Sequence, residues 1–331
     1  MKHVFVVNPV AGKKDPGITL ELQLARAGKE LGADCCVLRT KAKGHAAELC
    51  RKMAQEAKGE AIRFYAVGGD GTLNEVITGV YESGNLQAEA ASVPCGSGND
   101  FVRNFGTAED FLDLADNIRG AAVPIDLMRT NHGLCAAISS AGVDAEVAYG
   151  IPKFRRIPFC GGSMAYNLSI AQCMCHKLGN PLRVELDGRV LEDNYLIVTL
   201  CNGQRYGGGY QAAPTADLQD GMLEVVLVKK ISRLRIVGVL AKYKDGKHIA
   251  DGEVIPELRD IMSYHHAKQI SITALGERDP IITVDGECGP ARLLTADVLP
   301  LAVRFVLPQK LYSAWQGLRC PQEELTAAGA K

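Results

Sequence analysis

Residues 64–75 read Phe-Tyr-Ala-Val-Gly-Gly-Asp-Gly-Thr-Leu-Asn-Glu, and this stretch decides the fold. An apolar strand runs here through a turn with three glycines, Gly68, Gly69 and Gly71, directly into a predicted helix. Glycines let backbone amides approach phosphate oxygens, and a helix N-terminus adds unpaired amides and partial positive charge. Asp70 would repel phosphate unless a cation lay between them, so we expect it to face Mg²⁺. The same pattern also suits a tight strand-to-helix turn that is capped by Asp70 or Thr72.

Two further loops follow apolar strands and carry small or polar residues. Their candidate ligands are Asn8, Gly12 and Lys13 in residues 7–13, and Ser97, Asn99 and Asp100 in residues 94–101. Because the carboxyl ends of parallel strands meet at one edge of a sheet, we expect all three loops to converge on a single crevice. Lys13 either contacts phosphate there or is a solvated surface lysine.

The order of apolar runs and helical patterns predicts two lobes. The first third alternates strand and helix as βαβαβ, which indicates a parallel sheet, and its predicted helices cover residues 19–31, 45–57, 73–80 and 108–118. Beyond residue 126 strand-like runs dominate, with helical segments at 162–177 and 231–243 and a final strand block at 291–307. We therefore predict an α/β nucleotide-binding lobe with a parallel sheet at residues 1–126, a mainly antiparallel β lobe at 127–307, and a return to the first lobe at about 308–331.

Composition narrows the function. The chain has 331 residues, of which 47% are hydrophobic and 23% are charged, and this composition is typical of a globular protein. Its formal net charge of −1 means that the protein has no overall positive electrostatic field that would attract nucleic acid. The eleven cysteines lie mostly in apolar runs without a CxxC pair, so we expect reduced thiols and a cytoplasmic location. The first apolar run is too short for a signal peptide, and no stretch has the length of a membrane span.

The three loops together resemble the catalytic domain of the diacylglycerol kinase family, especially its soluble bacterial lipid kinases, to which sphingosine and ceramide kinases are related. The motifs are Asn-Pro-x-x-Gly at 8–12, Gly-Gly-Asp-Gly-Thr at 68–72 and Gly-Ser-Gly-Asn-Asp-Phe at 96–101, in the family's order. The resemblance implies the NAD kinase/diacylglycerol kinase-like fold, ATP and Mg²⁺ as cofactors, and Thr40 as a further residue near the nucleotide. Asp126 is either a strand-end cap or, as the family implies, part of a water-mediated Mg²⁺ network with Asp70 and Asp100.

The second lobe agrees with this resemblance. By similarity, Asp217, Asp220 and the carbonyl of Met222 would bind a structural Mg²⁺, although by itself this turn is either a hard-cation site or a solvated hairpin. By the same similarity, Glu287 would be the general base that deprotonates the acceptor hydroxyl, with Asp70 as its partner in catalysis. Without the resemblance, the Asp-Gly-Glu sequence at residues 285–287 indicates only a hairpin turn.

The expected acceptor is a lipid with a free hydroxyl, diacylglycerol first, reached by transient peripheral contact with the inner face of the membrane. Residues 153–159 combine cations and aromatics and either form a membrane-facing rim or are an ordinary solvated loop. The rival functions are an NAD kinase-like enzyme and a non-catalytic, nucleotide-gated lipid-binding protein. The sequence does not identify the lipid, and it leaves dimerisation open.

Overall fold

The computed structural model describes residues 1–12, 15–157, 163–176 and 178–319. The first part of the chain forms β1 (Lys2–Val7), α1 (Pro16–Leu31), β2 (Asp34–Arg39), α2 (His45–Glu56), β3 (Ile62–Gly68), α3 (Asp70–Glu82), β4 (Ala88–Pro94), two 3₁₀ turns (Phe101–Asn104 and Glu109–Phe111), α4 (Leu114–Arg119) and β5 (Ala121–Thr130).

The remaining elements are β6 (Gly133–Cys135), β7 (Ile138–Gly142), α5 (Val143–Arg155), α6 (Ser163–Cys175), β8 (Asn180–Leu186), β9 (Arg189–Cys201), β10 (Leu223–Lys229), α7 (Arg233–Lys244), β11 (Ile249–Ala250), β12 (Glu253–Val254), a 3₁₀ turn (Pro256–Leu258), β13 (Met262–Ala267), β14 (Gln269–Ala274), β15 (Ile281–Val284), β16 (Glu287–Pro290), β17 (Leu293–Leu307) and α8 (Gln309–Arg319).

The first lobe is a parallel sheet in the order β2-β1-β3-β4 with helices on both faces. Successive strand residues point to opposite faces, so Val4 and Phe64 pack against α2 and α3, whereas Phe5 and Tyr65 pack against α1 and α4. Val7, the last residue of β1, pairs with residues at the ends of β2 and β3. The loops that follow these strands therefore start at the same sheet edge, as the sequence predicted.

The second lobe is mainly antiparallel. Its strands follow the order β16-β15-β7-β9-β8-β14, and β10 adds to β9 and pairs with β13. One core lies between β8, β9, β10, β14 and their neighbours, and another lies where β9 and β10 meet α7. The predicted combination of a parallel α/β lobe and an antiparallel β lobe is confirmed.

β17 connects the two lobes. Its first residues pair with β14, whereas Arg304 and Phe305 pair in parallel with β4, and a register shift between Leu299 and Val303 lies where it runs along β5. The α8 helix packs against α4, where Lys310 N donates a hydrogen bond to the carboxylate of Asp116. The exact lobe limits at residues 126 and 308 stay a prediction, and the tail beyond residue 319 lies outside the described part.

Two predicted helices have different limits in the structure. The helix predicted at 108–118 is wrong in its first half, because the side chain of Asp113 accepts hydrogen bonds from Ala115 N and Asp116 N and starts α4 only at Leu114. The helix predicted at 73–80 begins earlier, at Asp70, because the chain enters helical geometry directly after Gly69. Within the described ranges, the structure contains no helix that is both long and apolar enough to cross a bilayer.

Candidate functional site

The glycine turn after β3 is joined by hydrogen bonds to the loops that follow β1 and β4. Gly68 O accepts a hydrogen bond from Cys95 N at 2.7 Å. The Asn8 side-chain amide donates to Thr72 Oγ1 at 3.1 Å, and Thr40 N donates to the last carbonyl of β1 at 2.9 Å. The structure thus brings the three predicted loops and Thr40 together at one edge of the parallel sheet.

Close approach of a neighbouring backbone or side chain explains two of the glycines. A Cβ atom on Gly96 would lie 2.5 Å from the Cα of Gly69, and a Cβ atom on Gly68 would lie 2.3 Å from Thr72 Oγ1. Real Cβ atoms do not come so near to other atoms, so neither position accepts a larger residue without moving its loop. Gly71 differs, because a Cβ atom there would meet open space.

The remaining loop residues have distinct places. Asn99 has a positive φ of 53°, and its side chain closes the loop by accepting from Gly96 N and donating to Gly96 O. Ser97 lines the central cavity, and Gly12, with a φ of 76°, turns the loop after β1. Lys13 lies outside the described residues.

Asp70 and Asp100 are the two carboxylates at this edge. Asp70 Oδ1 accepts a hydrogen bond from Phe101 N at 3.2 Å, and burial raises the pKa of its carboxyl, with the charge of Asp100 adding to the rise. Asp100 is 8% exposed, and its Oδ2 accepts from Gly208 N at 2.7 Å. Its Oδ1 is buried and has no hydrogen-bond partner among the described residues, and Arg103 Nε lies 3.8 Å away. The pair therefore presents unsatisfied negative charge to the cleft.

This pair fits a divalent cation that is completed by phosphate oxygens. The described residues contain no group of three or more His, Cys, Asp or Glu side chains arranged to hold a metal ion alone. Mg²⁺ usually binds through one or two carboxylates together with phosphates and water, which is what Asp70 and Asp100 offer.

Asp126 does not line the cavity with Asp70 and Asp100 and is hydrogen-bonded to other parts of the chain. Its fully buried carboxylate accepts hydrogen bonds from Leu301 N at 2.6 Å and Gly221 N at 2.7 Å. Its own N–H donates to Leu218 O. These contacts attach Asp126 to the turn at residues 217–222, and no hydrogen bond among the described residues links its carboxylate to Asp70. A water-mediated network between them stays a prediction.

The turn at 217–222 is strongly acidic. Asp217 accepts from Gln219 N at 3.1 Å, and Asp220 accepts from Met222 N at 2.9 Å. Burial raises the pKa of the nearby Glu224 to about 8, and the charge of Asp220 adds to the rise. The hard-cation site expected at Asp217, Asp220 and the Met222 carbonyl stays a prediction, because the described residues contain no group of three or more acidic, His or Cys side chains that could hold a metal ion.

Glu287 lies just outside the cleft. It is the first residue of β16, after the two-residue turn of Asp285 and Gly286, and its side chain is 66% exposed in an ion pair with Lys43 from the first lobe. Asp285 and Gly286 line the central cavity, whereas Glu287 does not. Glu287, the predicted base, thus lies next to residues that line the cavity and forms an ion pair with Lys43.

Asp285 is a central residue that the sequence did not single out beyond its hairpin. Its carboxylate accepts five hydrogen bonds, from Cys135 Sγ, Ala136 N, Ala137 N, Ile138 N and Asn74 Nδ2. The contact from Asn74, in the first turns of α3, measures 2.7 Å and joins the two lobes beside Asp70. The only sequence signal for this role was an Asp-Gly pair, which is ordinary in hairpins.

Glu75 is a second residue that the sequence left without a role. Its carboxylate accepts from Gly44 N at 2.7 Å and Ala46 N at 3.1 Å. Since Gly44 has no side chain to cap α2, Glu75 of α3 supplies the acceptors and fixes the loop that carries Thr40.

A cavity of about 470 Å³ begins at Asp70, Ser97, Asp100 and Asp285 and extends into the second lobe. Its walls are α5, α6 and α7 on one side and β7, β9 and β10 on the other. Most of its lining is apolar; the aliphatic residues of this part include Ile138, Val143, Val147, Ile151, Ile170, Leu196, Ile197, Val228, Ile236, Val239 and Leu240. A mainly apolar cleft that opens at the phosphate-binding loops suits a substrate with a hydrocarbon tail.

One acidic side chain interrupts this apolar wall. Asp144, in the first turn of α5, accepts a hydrogen bond from Tyr206 Oη at 2.9 Å, and burial raises the pKa of its carboxyl. Tyr206 begins the glycine-rich turn whose Gly208 contacts Asp100. The same turn therefore links the phosphate edge of the cavity to its interior.

A parallel α/β lobe with glycine-rich phosphate loops, set against a β lobe with a deep apolar cavity, defines a two-lobed kinase. Two family models cover the chain accordingly: "Diacylglycerol kinase catalytic domain" matches residues 2–130, and "YegS C-terminal NAD kinase beta sandwich-like domain" matches residues 137–307. The chain belongs to the diacylglycerol kinase and YegS-like lipid kinase family, and it is a lipid kinase. Membership in this family implies the use of ATP.

Individual relatives agree. The chain is 29% identical over 253 residues to "Diacylglycerol kinase" of Bacillus subtilis (strain 168), which covers 74% of this chain and 78% of the relative. It is 27% identical over 269 residues to "Probable lipid kinase YegS-like" of Shewanella frigidimarina (strain NCIMB 400), covering 79% and 82%. The crystal structure of a diacylglycerol kinase from Bacillus anthracis str. Sterne superposes with a TM-score of 0.66 at 22% identity, covering 94% of this chain and 98% of that one, and shows the shared fold.

Proposed function

We propose that this kinase transfers the γ-phosphate of ATP to the free hydroxyl of diacylglycerol and so forms phosphatidic acid and ADP. The observation that carries the proposal is the cavity, which has Asp70 and Asp100 at one end and aliphatic side chains along the rest. A donor phosphate at the glycine loops and a hydroxyl at the mouth of this cavity would lie next to each other, and such positioning provides most of the catalysis in phosphoryl transfer.

The nucleotide half of the mechanism follows from the loops. Backbone amides of the turn at residues 68–72 and of the loop with Ser97 hold phosphate oxygens, while Asn8 and Thr40 fix the loops beside them. Mg²⁺, when bound by Asp70 and Asp100, offsets the negative charge that the phosphates and carboxylates bring together. We also propose that the acidic turn with Asp217 and Asp220 takes a second, structural Mg²⁺.

Glu287 is proposed as the general base. The hydroxyl oxygen forms a bond to the γ-phosphorus as the bond to ADP breaks, and its proton passes to the Glu287 carboxylate. Glu287 must first exchange its contact with Lys43 for the acceptor hydroxyl. Both partners are largely exposed, and exposed ion pairs contribute little free energy, so this exchange has a small cost.

The hydrocarbon chains of the acceptor occupy the apolar part of the cavity. Since diacylglycerol resides in a bilayer, the kinase must contact a membrane surface, and we propose that it does so transiently at the cytoplasmic face. The segment expected to form a rim, residues 153–159, is described only to Ile157, which is 46% exposed. Its last two residues lie outside the described part.

The direct test is phosphorylation of diacylglycerol in mixed vesicles with labelled ATP. Wild type is expected to form labelled phosphatidic acid, Asp70→Asn to lose at least about 100-fold in kcat, and Glu287→Gln to lose about 100-fold or more with ATP binding retained. ATP binding without any labelled lipid from wild type would refute the proposal in favour of a regulatory lipid-binding protein. Labelled NADP formed from NAD would instead favour the NAD kinase alternative.

A further inference from the structure

The α7 helix is apolar on two faces. Ile236, Val239 and Tyr243 are buried against the strands of the second lobe and also line the cavity. On the other side Leu234 is 91% exposed and Val237 is 71% exposed. These two residues are three positions apart and so lie one above the other on a helix.

The exposed stripe continues along the helix. Gly238 and Ala241 are also exposed, which leaves a smooth apolar strip from Leu234 to the last turn. A helix that only covers the core of a water-soluble lobe would present polar residues on this face. Residues 234, 237, 238 and 241 are called here the outer strip of α7.

The charged residues of α7 itself are all basic. α7 contains Arg233, Arg235, Lys242 and Lys244 and no acidic residue, although the whole chain has a net charge of −1. Arg235 is paired with Asp260, whereas Arg233 donates hydrogen bonds to the carbonyls at the end of α6. The two lysines lie in the last turn of α7. Apolar side chains flanked by long cations match the headgroup region of an anionic bilayer.

The neighbouring helices α5 and α6 also carry exposed apolar side chains. Tyr149 of α5 is 52% exposed, and Met164 of α6 is 51% exposed, while other residues of both helices line the cavity. The helices that separate the cavity from solvent thus carry exposed apolar side chains as well as buried ones. A lipid that passes between a bilayer and the cavity would meet this group of helices first.

We propose that the outer strip of α7, with the cations that flank it, is a docking surface for an anionic phospholipid bilayer. The inner face of α7 lines the acceptor cavity, so docking places the cavity beside the membrane from which the lipid enters. This inference rests on the proposed function, because only a bilayer-borne acceptor gives such docking a purpose. The outer strip of α7 does not include residues 153–159.

The experiment is flotation of the purified full-length protein with vesicles of phosphatidylglycerol and phosphatidylcholine, without nucleotide. The variant L234E/V237E is expected to lower the vesicle-bound fraction at least about tenfold, because two carboxylates replace side chains that would enter the interface. The matched control L22E/L86E changes two leucines of the first lobe that are 73% and 84% exposed, and it should bind as wild type does. Replacing both lysines, K242Q/K244Q, should weaken binding to anionic vesicles only.

Several outcomes would overturn the inference: wild type that does not float with anionic vesicles, L234E/V237E that floats as wild type does, or a wild-type dimer that this variant dissociates, which would assign the strip to a second copy. The uncharged variant L234S/V237S should also show reduced binding, and thermal melting verifies that each variant is folded. Activity on a short-chain diacylglycerol dissolved as monomers should be unchanged in L234E/V237E. Loss of the proposed kinase activity would leave the flotation result intact, so the two failures are distinguishable.

Discussion

At the scale of single residues, Asp285 contributes most to the joining of the lobes in the cleft. A carboxylate that accepts five hydrogen bonds has little capacity left to accept a substrate proton. Its role is therefore to hold the backbone of Ala136 to Ile138 and the side chain of Asn74 in place. This agrees with the proposal that Glu287, and not Asp285, is the general base.

We predict that Asp285→Asn lowers the free energy of unfolding by about 2–4 kcal/mol, because charge-assisted acceptors are lost and an amide group then faces backbone N–H groups. Urea unfolding measures the change, and the activity should fall with it because Asn74 loses its partner. The control is Asp297→Asn, at an exposed position in β17. Equal stability of the two variants would show that the Asp285 contacts are not stabilising.

His3 gives a pH dependence that is independent of the active site. It is 6% exposed, its Nδ1 lies 2.8 Å from Tyr65 Oη, and burial, followed by the charge of Arg63, lowers its pKa to about 4. The folded protein therefore binds fewer protons than the unfolded chain between pH 6.5 and 4. This contribution to stability is complete above pH 6.5 and is lost as the pH falls towards 4.

We predict that the free energy of unfolding of wild type decreases by about 1–2 kcal/mol more between pH 7 and pH 4.5 than that of His3→Gln, because over this range the unfolded chain takes up a proton at His3 and the folded protein does not. Glutamine keeps a hydrogen bond to Tyr65 but does not titrate. Urea titrations of both proteins at several pH values measure the difference. Parallel pH profiles would contradict the prediction.

At the scale of secondary-structure elements, α2 depends on a residue from another helix. Its N-cap, Gly44, makes no side-chain hydrogen bond, so the first amides of α2 are satisfied by Glu75 of α3. We predict that Glu75→Ala lowers the free energy of unfolding by about 1–2 kcal/mol and raises the KM for ATP, because the loop with Thr40 is then less well fixed. Urea unfolding and initial rates measure the two effects.

The control for this variant is Glu82→Ala, which removes an exposed 3.4 Å ion pair with Arg51 at the other end of α3. Such pairs contribute at most about 1 kcal/mol, so Glu82→Ala should be near wild type in both stability and KM. If the KM for ATP is unchanged in Glu75→Ala, the hydrogen bonds of Glu75 to α2 do not contribute to nucleotide binding.

Most elements were predictable because their patterns are local. The strand-turn-helix signal around Gly68 depends only on neighbouring residues, and the βαβ order fixes the parallel sheet. The failure at residues 108–118 had a local cause, because the capping side chain of Asp113 competes with a continuous apolar pattern. The sequence could not show that β17 would pair with strands of both lobes, since its partners and its register shift depend on residues far away in the chain.

The same distinction applies to the candidate site. The loops that we propose to bind phosphate carry glycines whose spacing is visible in the sequence, and the structure brings these loops together. Asn74 and Asp285 are 211 residues apart, and neither residue alone signals their contact. The apolar cavity was expected as a cleft wall, but its position between α5, α6 and α7 follows from tertiary packing that no local pattern specifies.

At the scale of the whole molecule, the two lobes share β17, and this makes the first lobe dependent on the end of the chain. Phe305 is fully buried, pairs with β4 and β5, and stacks with Phe105 at 5.4 Å between ring centroids. Without β17 the edge of β4 and one side of this core would be open to water. The lobe matched by the diacylglycerol kinase catalytic-domain model, residues 2–130, does not contain this strand.

We predict that a fragment of residues 2–130 does not unfold cooperatively, because it lacks the Val303–Leu307 end of β17 and the aromatic contacts of Phe305. Circular dichroism during thermal melting measures this, with the full chain as the reference. Adding a peptide of residues 293–319 should restore a cooperative transition, since it supplies both β17 and α8, whereas the same peptide with Phe305→Ala should do so much less well, because truncating a buried phenylalanine costs about 3–5 kcal/mol. A fragment that melts cooperatively by itself would show that the lobe's own sheet is sufficient, and that β17 joins the lobes without stabilising the first.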